Sequence, residues 1–267
     1  SGAMRIALAQ LLATTDPDAN LGLVADYTTQ AAAQGAEVVV FPEATMCSFA
    51  RPRADAAEPF DGPWASAVRS IAADAGITVV VGMFTTTDSP QVHNTLLVTG
   101  GVEARYDKIH LFDALGYAES RQIRAGNHAV TVDLAGHALG LATCYDVRFP
   151  SLFTHLAGRS AEAILLPASW ADGPEKLHQW RTLVTARAMD ATAFVVAVDQ
   201  AKPPAAPDGR TPTGIGHSLV VGPTGTVLLE LGEDPELATI DLDLDSVATV
   251  RERLPVLQHA RPFDLPQ

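Results

Sequence analysis

The segment AEVVVFPEATM, residues 36–46, indicates the fold class, because the chain repeats its pattern as AEAILLPASWA at residues 161–171. Each copy has an Ala-Glu pair, an apolar run of strand length and a proline at the same position before a polar turn. Short apolar runs of this kind are typical of strands buried on both faces of a sheet. The recurrence indicates that the chain consists of two similar halves.

The segments on either side of these two copies also match. Each half contains an early apolar run followed by a helix-like segment, then a second helix leading into a Val-rich strand, and finally a hairpin with a Gly-containing turn. In order, the matching pairs are residues 5–10 and 139–144, 67–84 and 182–200, and 93–106 and 217–230. Each half therefore predicts the order strand, helix, strand, helix, strand, hairpin, which is typical of an α/β layer.

Two such halves bury their remaining apolar surfaces best by packing sheet against sheet. This arrangement predicts a four-layer α-β-β-α sandwich that forms one α/β domain over residues 4–267, since either half alone would expose a sheet face to water. An ordinary doubly wound sheet is the alternative. Ser1-Gly2-Ala3, ahead of Met4, is interpreted as an expression remnant.

The composition of the 267-residue chain restricts its partners and location. Asp and Glu total 31 against 18 for Lys and Arg, a net charge of −13, and no basic cluster is present, which argues against nucleic acid as a partner. No apolar run reaches the about 18 residues that a membrane helix needs. The two cysteines form no C-x-x-C pair. We therefore expect a cytoplasmic protein without membrane contact.

Two reactive side chains follow buried strands, one in each half. Glu43 comes after VVVFP and Cys144 after LGLAT, and functional groups of α/β sheets gather beyond such strand ends. Taken singly, a cysteine there is often a small core residue and a glutamate a surface charge or helix cap. Packing of two related halves would bring both strand ends into one cleft, which favours a shared site.

The connection between the halves offers a cation for the same site. A thiolate that attacks a carbonyl needs a positive charge or amides at the developing oxyanion, and Lys108 in RYDKIHLFDA is the candidate. Glu119 in YAESRQIRAG is a candidate to orient it, with an exposed loop acid as the alternative. His110 remains an alternative base for Cys144.

Cofactor and metal chemistry find no support in the sequence. The eight histidines show no metal-ligand spacing, and neither G-x-G-x-x-G nor G-K-[ST] occurs. We expect neither a metal nor a cofactor.

Three motifs together resemble a known family. VVFPEATM, YDKIHLFDA and CYDVRFPSL are similar, in this order and spacing, to the Glu, Lys and Cys motifs of the nitrilase (carbon-nitrogen hydrolase) superfamily. The resemblance covers the chain from Met4 onward. It implies the α-β-β-α sandwich and a homodimer, or a higher homo-oligomer, in which the C-terminal tail crosses between subunits.

The resemblance also implies roles for individual residues. Glu43 corresponds to the general base, Lys108 to the oxyanion stabiliser, Cys144 to the nucleophile and Glu119 to a supporting glutamate. With the backbone amide of Tyr145 as a second oxyanion donor, these groups would hydrolyse a small linear amide through a thioester and release ammonia and a carboxylic acid.

CYDVRFP and KIHLFD look closest to the branch of ω-amidases and deaminated-glutathione amidases. ATMCSF, FDALGYAES and SWADG depart from that branch, and the physiological substrate stays open.

The walls of the pocket are predicted less directly. Phe49, Phe112 and Trp170 are candidates, each with core packing as the alternative. Arg148 is a candidate substrate contact, although an ion pair with Asp146 that shapes the turn is the preferred interpretation. Two irregular stretches, residues 46–64 and 200–216, are candidate pocket loops, the second being interpreted as mobile.

Three other activities remain compatible with the same residues. One is hydrolysis of a nitrile or carbamoyl group, and another is transfer of the acyl group to an amine. The third is a catalytically silent binding protein that keeps the fold.

Overall fold

A computed structural model describes residues 3–205 and 209–266. Within these residues the strands are β1 Ala3–Gln10, β2 Val38–Val40, β3 Thr78–Thr86, β4 Val92–Thr99, β5 Ala104–Asp107, β6 Asp113–Ala114, β7 Tyr117–Ala118, β8 Thr131–Leu134, β9 His137–Leu141, β10 Ala163–Ala168, β11 Phe194–Asp199, β12 Leu219–Val221, β13 Val227–Glu230 and β14 Glu236–Asp243. The helices are α1 Pro17–Ala33, α2 Arg53–Ala56, α3 Pro63–Ala75, α4 Pro150–Gly158, α5 Lys176–Ala191, α6 Ser246–Arg253 and α7 Val256–His259.

The two halves form two sheets of six strands with the same internal order. One sheet has the order β14-β1-β2-β3-β4-β5 and the other β13-β12-β11-β10-β9-β8, so β1 to β5 correspond to β9 to β13. In each sheet three neighbouring strands run parallel and the hairpin continues antiparallel. The predicted repeat is therefore present in the structure, and β1 begins at Ala3, one residue before the predicted boundary.

Strand β1 shows how the layers are built. Its alternate side chains point to opposite faces of the sheet. Ala7 and Ala9 lie in a core shared with α1 and α3, whereas Ile6 and Leu8 lie in a second core. That second core also contains Val196 of β11, a strand of the other sheet, so the two sheets pack face to face.

A third core lies between the second sheet and helices α4 and α5. Three cores separate four layers, which confirms the predicted α-β-β-α sandwich and excludes a single doubly wound sheet. None of the described helices combines the length and apolar character needed to cross a membrane.

The topology brings three strand ends to one edge of the sandwich. Glu43 follows β2, Cys144 follows β9 and Ser169 follows β10. The neighbouring β3 carries Gly82, where a Cβ would lie 2.8 Å from the amide nitrogen of Ala44 and 2.9 Å from the Cα of Glu43. Glycine thus allows β3 to pack directly against the backbone that carries Glu43.

Candidate active site

Cys144 occupies a strained position immediately beyond β9. It is the first residue of a short 3₁₀ turn, Cys144–Arg148, and its φ of +46° lies in the left-handed region, which is unfavourable for a side chain with a Cβ. The next amide, that of Tyr145, belongs to the first residues of the turn, whose N–H groups have no acceptor within the turn itself. The backbone thus bends sharply at the thiol and frees an amide next to it.

The carboxylate of Asp146 fixes this turn through hydrogen bonds. One oxygen accepts hydrogen bonds from the backbone N and the Nδ1 of His110, at 3.1 and 2.7 Å. The other accepts from the backbone N of Thr143 at 2.9 Å and from the hydroxyl of Tyr106. Asp146 is completely buried. It therefore fixes the turn to β5 and the connection that follows it.

The predicted ion pair between Asp146 and Arg148 is wrong. Both Asp146 oxygens point into the protein and are occupied by Tyr106, His110 and Thr143. Arg148 instead donates to Oε1 of Gln179 at 2.7 Å, and its guanidinium lies 5.3 Å from the ring centroid of Trp170. Arg148 is consequently directed to the pocket side of the turn.

Lys108 lies between two carboxylates. Its Nζ is 3.0 Å from Oε2 of Glu43 and 2.8 Å from Oε1 of Glu119. All three side chains are almost completely buried, with exposed fractions of 2%, 1% and 3% for Lys108, Glu43 and Glu119. Because water is excluded, the two acids and the ammonium depend on each other for charge compensation.

Neutral donors fix the orientation of both acids. The side-chain amide of Asn94 donates to Glu43 at 2.8 Å and to Glu119 at 3.1 Å. The amide of Ser169 donates to the second oxygen of Glu43 at 3.1 Å, and that of Phe112 donates to Glu119 at 2.8 Å. Each carboxylate therefore has a single well-defined position relative to Lys108.

Burial and charge act in opposite directions on these groups. Burial raises the pKa of Glu43, and the positive charge of Lys108 opposes this effect. Burial alone lowers the pKa of Lys108, but the charges of Glu119 and Glu43 outweigh it and hold that pKa well above its usual range. Lys108 therefore remains a cation at all physiological pH values.

The Cys144 thiol is protonated at neutral pH. Burial raises its pKa well above the ordinary value, and the negative charge of Glu43 raises it further, while Lys108 lowers it. The resting site therefore contains the neutral thiol and not the thiolate. If this sulfur is to act as a nucleophile, its proton has to leave during the attack, and a buried carboxylate in the same cavity can accept it.

An open cavity, with about 360 Å³ of empty space including its mouth, contains the catalytic and pocket residues predicted from sequence. Its walls include all nine of them: Glu43, Phe49, Lys108, Phe112, Glu119, Cys144, Tyr145, Arg148 and Trp170. Phe49 comes from the first predicted pocket loop and Pro212 from the second, of which residues 206–208 lie outside the described part of the chain. The structure thus brings both strand ends, the connection and both loops to one site.

His110, the alternative base, does not line this cavity. Its Nδ1 is bonded to Asp146, and its ring stacks on Phe149 with a centroid separation of 3.7 Å. It serves the turn under Cys144 rather than the reacting sulfur.

Two functional candidates escaped the sequence analysis. Asn94 lies in the β4 hairpin and has no recognisable motif around it. Lys176 is the first residue of α5 and lines the cavity beside Cys144. The signal for Lys176 was its position shortly after the SWADG segment, which follows β10 and was already noted as unusual.

Comparison with known proteins identifies the family. The sequence profile of the carbon-nitrogen hydrolase family matches residues 5–252. The chain belongs to the carbon-nitrogen hydrolase family. The predicted resemblance is thereby confirmed, and the buried acids, lysine and cysteine lie in a member of a family of C–N bond hydrolases.

Proteins of similar sequence align along nearly the whole chain. A hydrolase of Mycobacterium tuberculosis is 49% identical over 97% of this chain and 96% of its own length. The deaminated glutathione amidase of Escherichia coli O157:H7 is 34% identical, with 99% of both chains covered.

A solved structure shows the same architecture. A mutant of the amidase from Nesterenkonia sp. AN1 has a TM-score of 0.78 and 29% identity over 95% of this chain and 98% of its own. In that crystal structure acrylamide has undergone Michael addition at the active-site cysteine.

Proposed function

We propose that this carbon-nitrogen hydrolase cleaves a small linear amide through a thioester on Cys144, with Glu43 as general base and Lys108 as oxyanion stabiliser. The observation that carries the proposal is the position of the Lys108 ammonium, 3.0 Å from Glu43 and 2.8 Å from Glu119, in the cavity that also contains Cys144. A nucleophile, a base and a fixed cation, all buried in one cavity, are the requirements of acyl transfer.

In the first half of the reaction, the proton of the Cys144 thiol moves to Glu43 as the sulfur bonds to the amide carbon. The carbonyl oxygen becomes an oxyanion that Lys108 and the backbone amide of Tyr145 stabilise. Protonated Glu43 then gives its proton to the amide nitrogen as the C–N bond breaks. Ammonia leaves, and the acyl group remains on sulfur as a thioester.

In the second half, Glu43 takes a proton from water, and the resulting hydroxide attacks the thioester carbon. The second oxyanion collapses, the C–S bond breaks and the carboxylic acid is released. The thiolate recovers its proton from Glu43, which returns the site to its starting state. Glu119 acts through Lys108, which it keeps charged and in place.

A relative and the residues of the pocket support an ω-amide as the substrate class. The Escherichia coli relative is a deaminated glutathione amidase, which supports an ω-amide as substrate. Arg148 lines the cavity without an acidic partner among the described residues, so it is available to a polar group of that substrate. The aromatic walls formed by Phe49, Phe112 and Trp170 suit a short linear carbon chain.

The test is the release of ammonia or amine from a panel of amides. The panel contains α-ketoglutaramate, deaminated glutathione, glutamine and a simple aliphatic amide, with Cys144→Ala as the inactive control. We expect turnover of at least one ω-amide, loss of turnover in Cys144→Ala, and an acyl-enzyme mass on Cys144 when the reaction is quenched.

The alternatives give different results in the same experiment. A nitrile or carbamoyl hydrolase would leave the whole amide panel intact and turn over those substrates instead. An acyltransferase would form a hydroxamate from hydroxylamine faster than it forms acid. A silent binding protein would show no turnover and no acyl-enzyme with any substrate, and that result would overturn the proposal.

A further inference from the structure

Lys176 is a buried cation in the wall of the candidate active site. Only 6% of its surface is exposed, and it lines the same cavity as Cys144. Its ammonium lies 5.4 Å from the ring centroid of Phe112 and 5.5 Å from that of Trp170. Its backbone is held as well, because its carbonyl accepts the indole N–H of Trp170 at 2.9 Å.

Lys176 has no carboxylate within 4.0 Å in the part of the chain that the structure describes. Its two aromatic contacts stabilise a cation only partly. This distinguishes it from Lys108, whose charge is compensated by Glu43 and Glu119. An ammonium that is largely removed from water without an opposite charge is costly, and such groups are concentrated at functional sites.

A second cation lies close to Lys176. Arg148 packs on the ring of Trp170 and is bonded to the neutral Gln179. Among the described residues, the charged side chains that line the cavity are thus three cations, Lys108, Arg148 and Lys176, against the two acids Glu43 and Glu119. The cavity has an excess of positive charge in a chain whose net charge is −13. This excess favours an anionic ligand.

The two cations affect each other's charge. Burial lowers the pKa of Lys176, and the positive charge of Arg148 lowers it further. A carboxylate placed between the two side chains would remove this repulsion and replace the water that burial took away.

We propose that Lys176 is a specificity-determining residue that binds the anionic end of the substrate, with Arg148 beside it, and so selects amides that carry a carboxylate. The inference rests on the proposed amidase function, because it names the part of the substrate that this function requires. Both cations contact the ring of Trp170 and line the same cavity, so one ligand in that cavity can interact with both. Neutral aliphatic amides lack the group that this anion subsite of Lys176 and Arg148 recognises.

The first test does not depend on amide turnover. Iodoacetate and iodoacetamide both alkylate Cys144 and have similar size, but only iodoacetate is an anion. The ratio of their alkylation rates cancels the fraction of thiolate and reports on the charge of the cavity. We expect Lys176→Met to lower the iodoacetate to iodoacetamide ratio about tenfold, while methionine keeps the apolar contacts with Phe112 and Trp170.

Lys202→Met is the matched control. Lys202 is 39% exposed and pairs with Asp172 and Glu233 outside the cavity. Its replacement by Met therefore removes the same charge from the surface instead of from the cavity. We expect its ratio to equal that of the wild type, because solvent screens an exposed charge. An unchanged ratio in Lys176→Met, or an equal fall in Lys202→Met, would overturn the inference.

The second test uses a matched pair of substrates. Succinamate carries a carboxylate where succinamide carries a neutral amide. We expect Lys176→Met to reduce the preference for succinamate in kcat/KM about tenfold or more, mainly through KM, and Lys176→Arg to retain most of it.

The two proposals can fail separately. Turnover of both substrates with an unchanged preference in Lys176→Met would leave the amidase function and remove the anion subsite. Absence of turnover, with the alkylation ratio still dependent on Lys176, would remove the amidase function and leave the subsite.

Discussion

The Nζ of Lys108 lies 2.8 Å from Oε1 of Glu119, so the cation of the candidate active site is held by an acid that does not need to react. Glu119 lies in a 3₁₀ turn, Glu119–Arg121, that follows the small β6/β7 hairpin. The connection between the two halves of the chain therefore controls the position of the proposed oxyanion stabiliser.

Replacement of Glu119 by Gln tests this control. Glutamine has the size of glutamate but no charge, so Lys108 loses half of its compensation and its pKa falls. We expect kcat to fall about 10- to 100-fold and the free energy of unfolding to decrease by about 3 kcal/mol, because one partner of a buried ion pair is lost. Steady-state kinetics and urea unfolding measure the two effects. Exposed Glu252→Gln is the control, and an unchanged kcat in Glu119→Gln would contradict the assignment.

Burial raises the pKa of Cys144, the proposed nucleophile, and the negative charge of Glu43 raises it further. Glu43→Gln removes that charge, so the thiolate becomes easier to form and the rise of the alkylation rate with pH moves to lower pH. Turnover of amides should nevertheless fall about 10³-fold because the base is missing. Iodoacetamide labelling of Cys144 across a pH series measures the shift, and a midpoint that stays in place or moves upward would show that Glu43 does not act on the thiol.

The left-handed backbone at Cys144 has a cost that can be measured. Cys144→Ala keeps a Cβ at φ +46°, whereas Cys144→Gly removes it. We expect the glycine variant to be more stable than the alanine variant by about 1 kcal/mol, although glycine normally destabilises a folded chain. Ala142→Gly provides the control two residues earlier, where φ is not positive, and should lower stability. Chemical denaturation measures the free energy of unfolding of the three variants. If Cys144→Gly were less stable than Cys144→Ala, the turn would be unstrained.

Gly82 packs against the backbone that carries Glu43, the proposed base. A Cβ at this position would lie 2.8 Å from the Ala44 nitrogen and the Pro42 oxygen, and these backbone atoms cannot rotate away. We expect Gly82→Ala to lower the free energy of unfolding by about 2 kcal/mol. Turnover should fall more than tenfold, because a displacement of about 1 Å at a catalytic group can cost a factor of about 10². Gly158→Ala, whose Cβ would meet no atom within 4 Å, should leave both values near those of the wild type.

Much of the candidate site was predictable because short sequence patterns indicate where its residues lie. Glu43 and Cys144 each follow an apolar run and end it with a reactive group, and Lys108 follows a hairpin that the glycines mark. These are short-range patterns, since hydrophobic periodicity and turn residues act over a few neighbouring positions. The duplication then predicted that both strand ends would share a cleft.

The partners of those residues were not predictable in the same way. Asp146 was predicted to pair with Arg148, which is close to it in sequence, whereas it binds Tyr106 of β5 and His110 of the connection between the halves. Asn94 joins Glu43 to Glu119 although nothing in the hairpin sequence indicates it. Side-chain hydrogen bonds are decided by which strands pack together, and a neighbour in sequence is only one of many candidates.

The sequence by itself determined the two-fold organisation, the sandwich, and the identity of the acid, lysine and cysteine, because apolar periodicity and strand-end chemistry are local properties. Only the tertiary structure decided the charge of the cavity. Lys176 begins a helix far along the chain from Lys108, and only the packing of α5 places its ammonium in the cavity and against the ring of Trp170. Electrostatic interactions depend on distance in space and on exclusion of water, and neither quantity can be read from the order of residues.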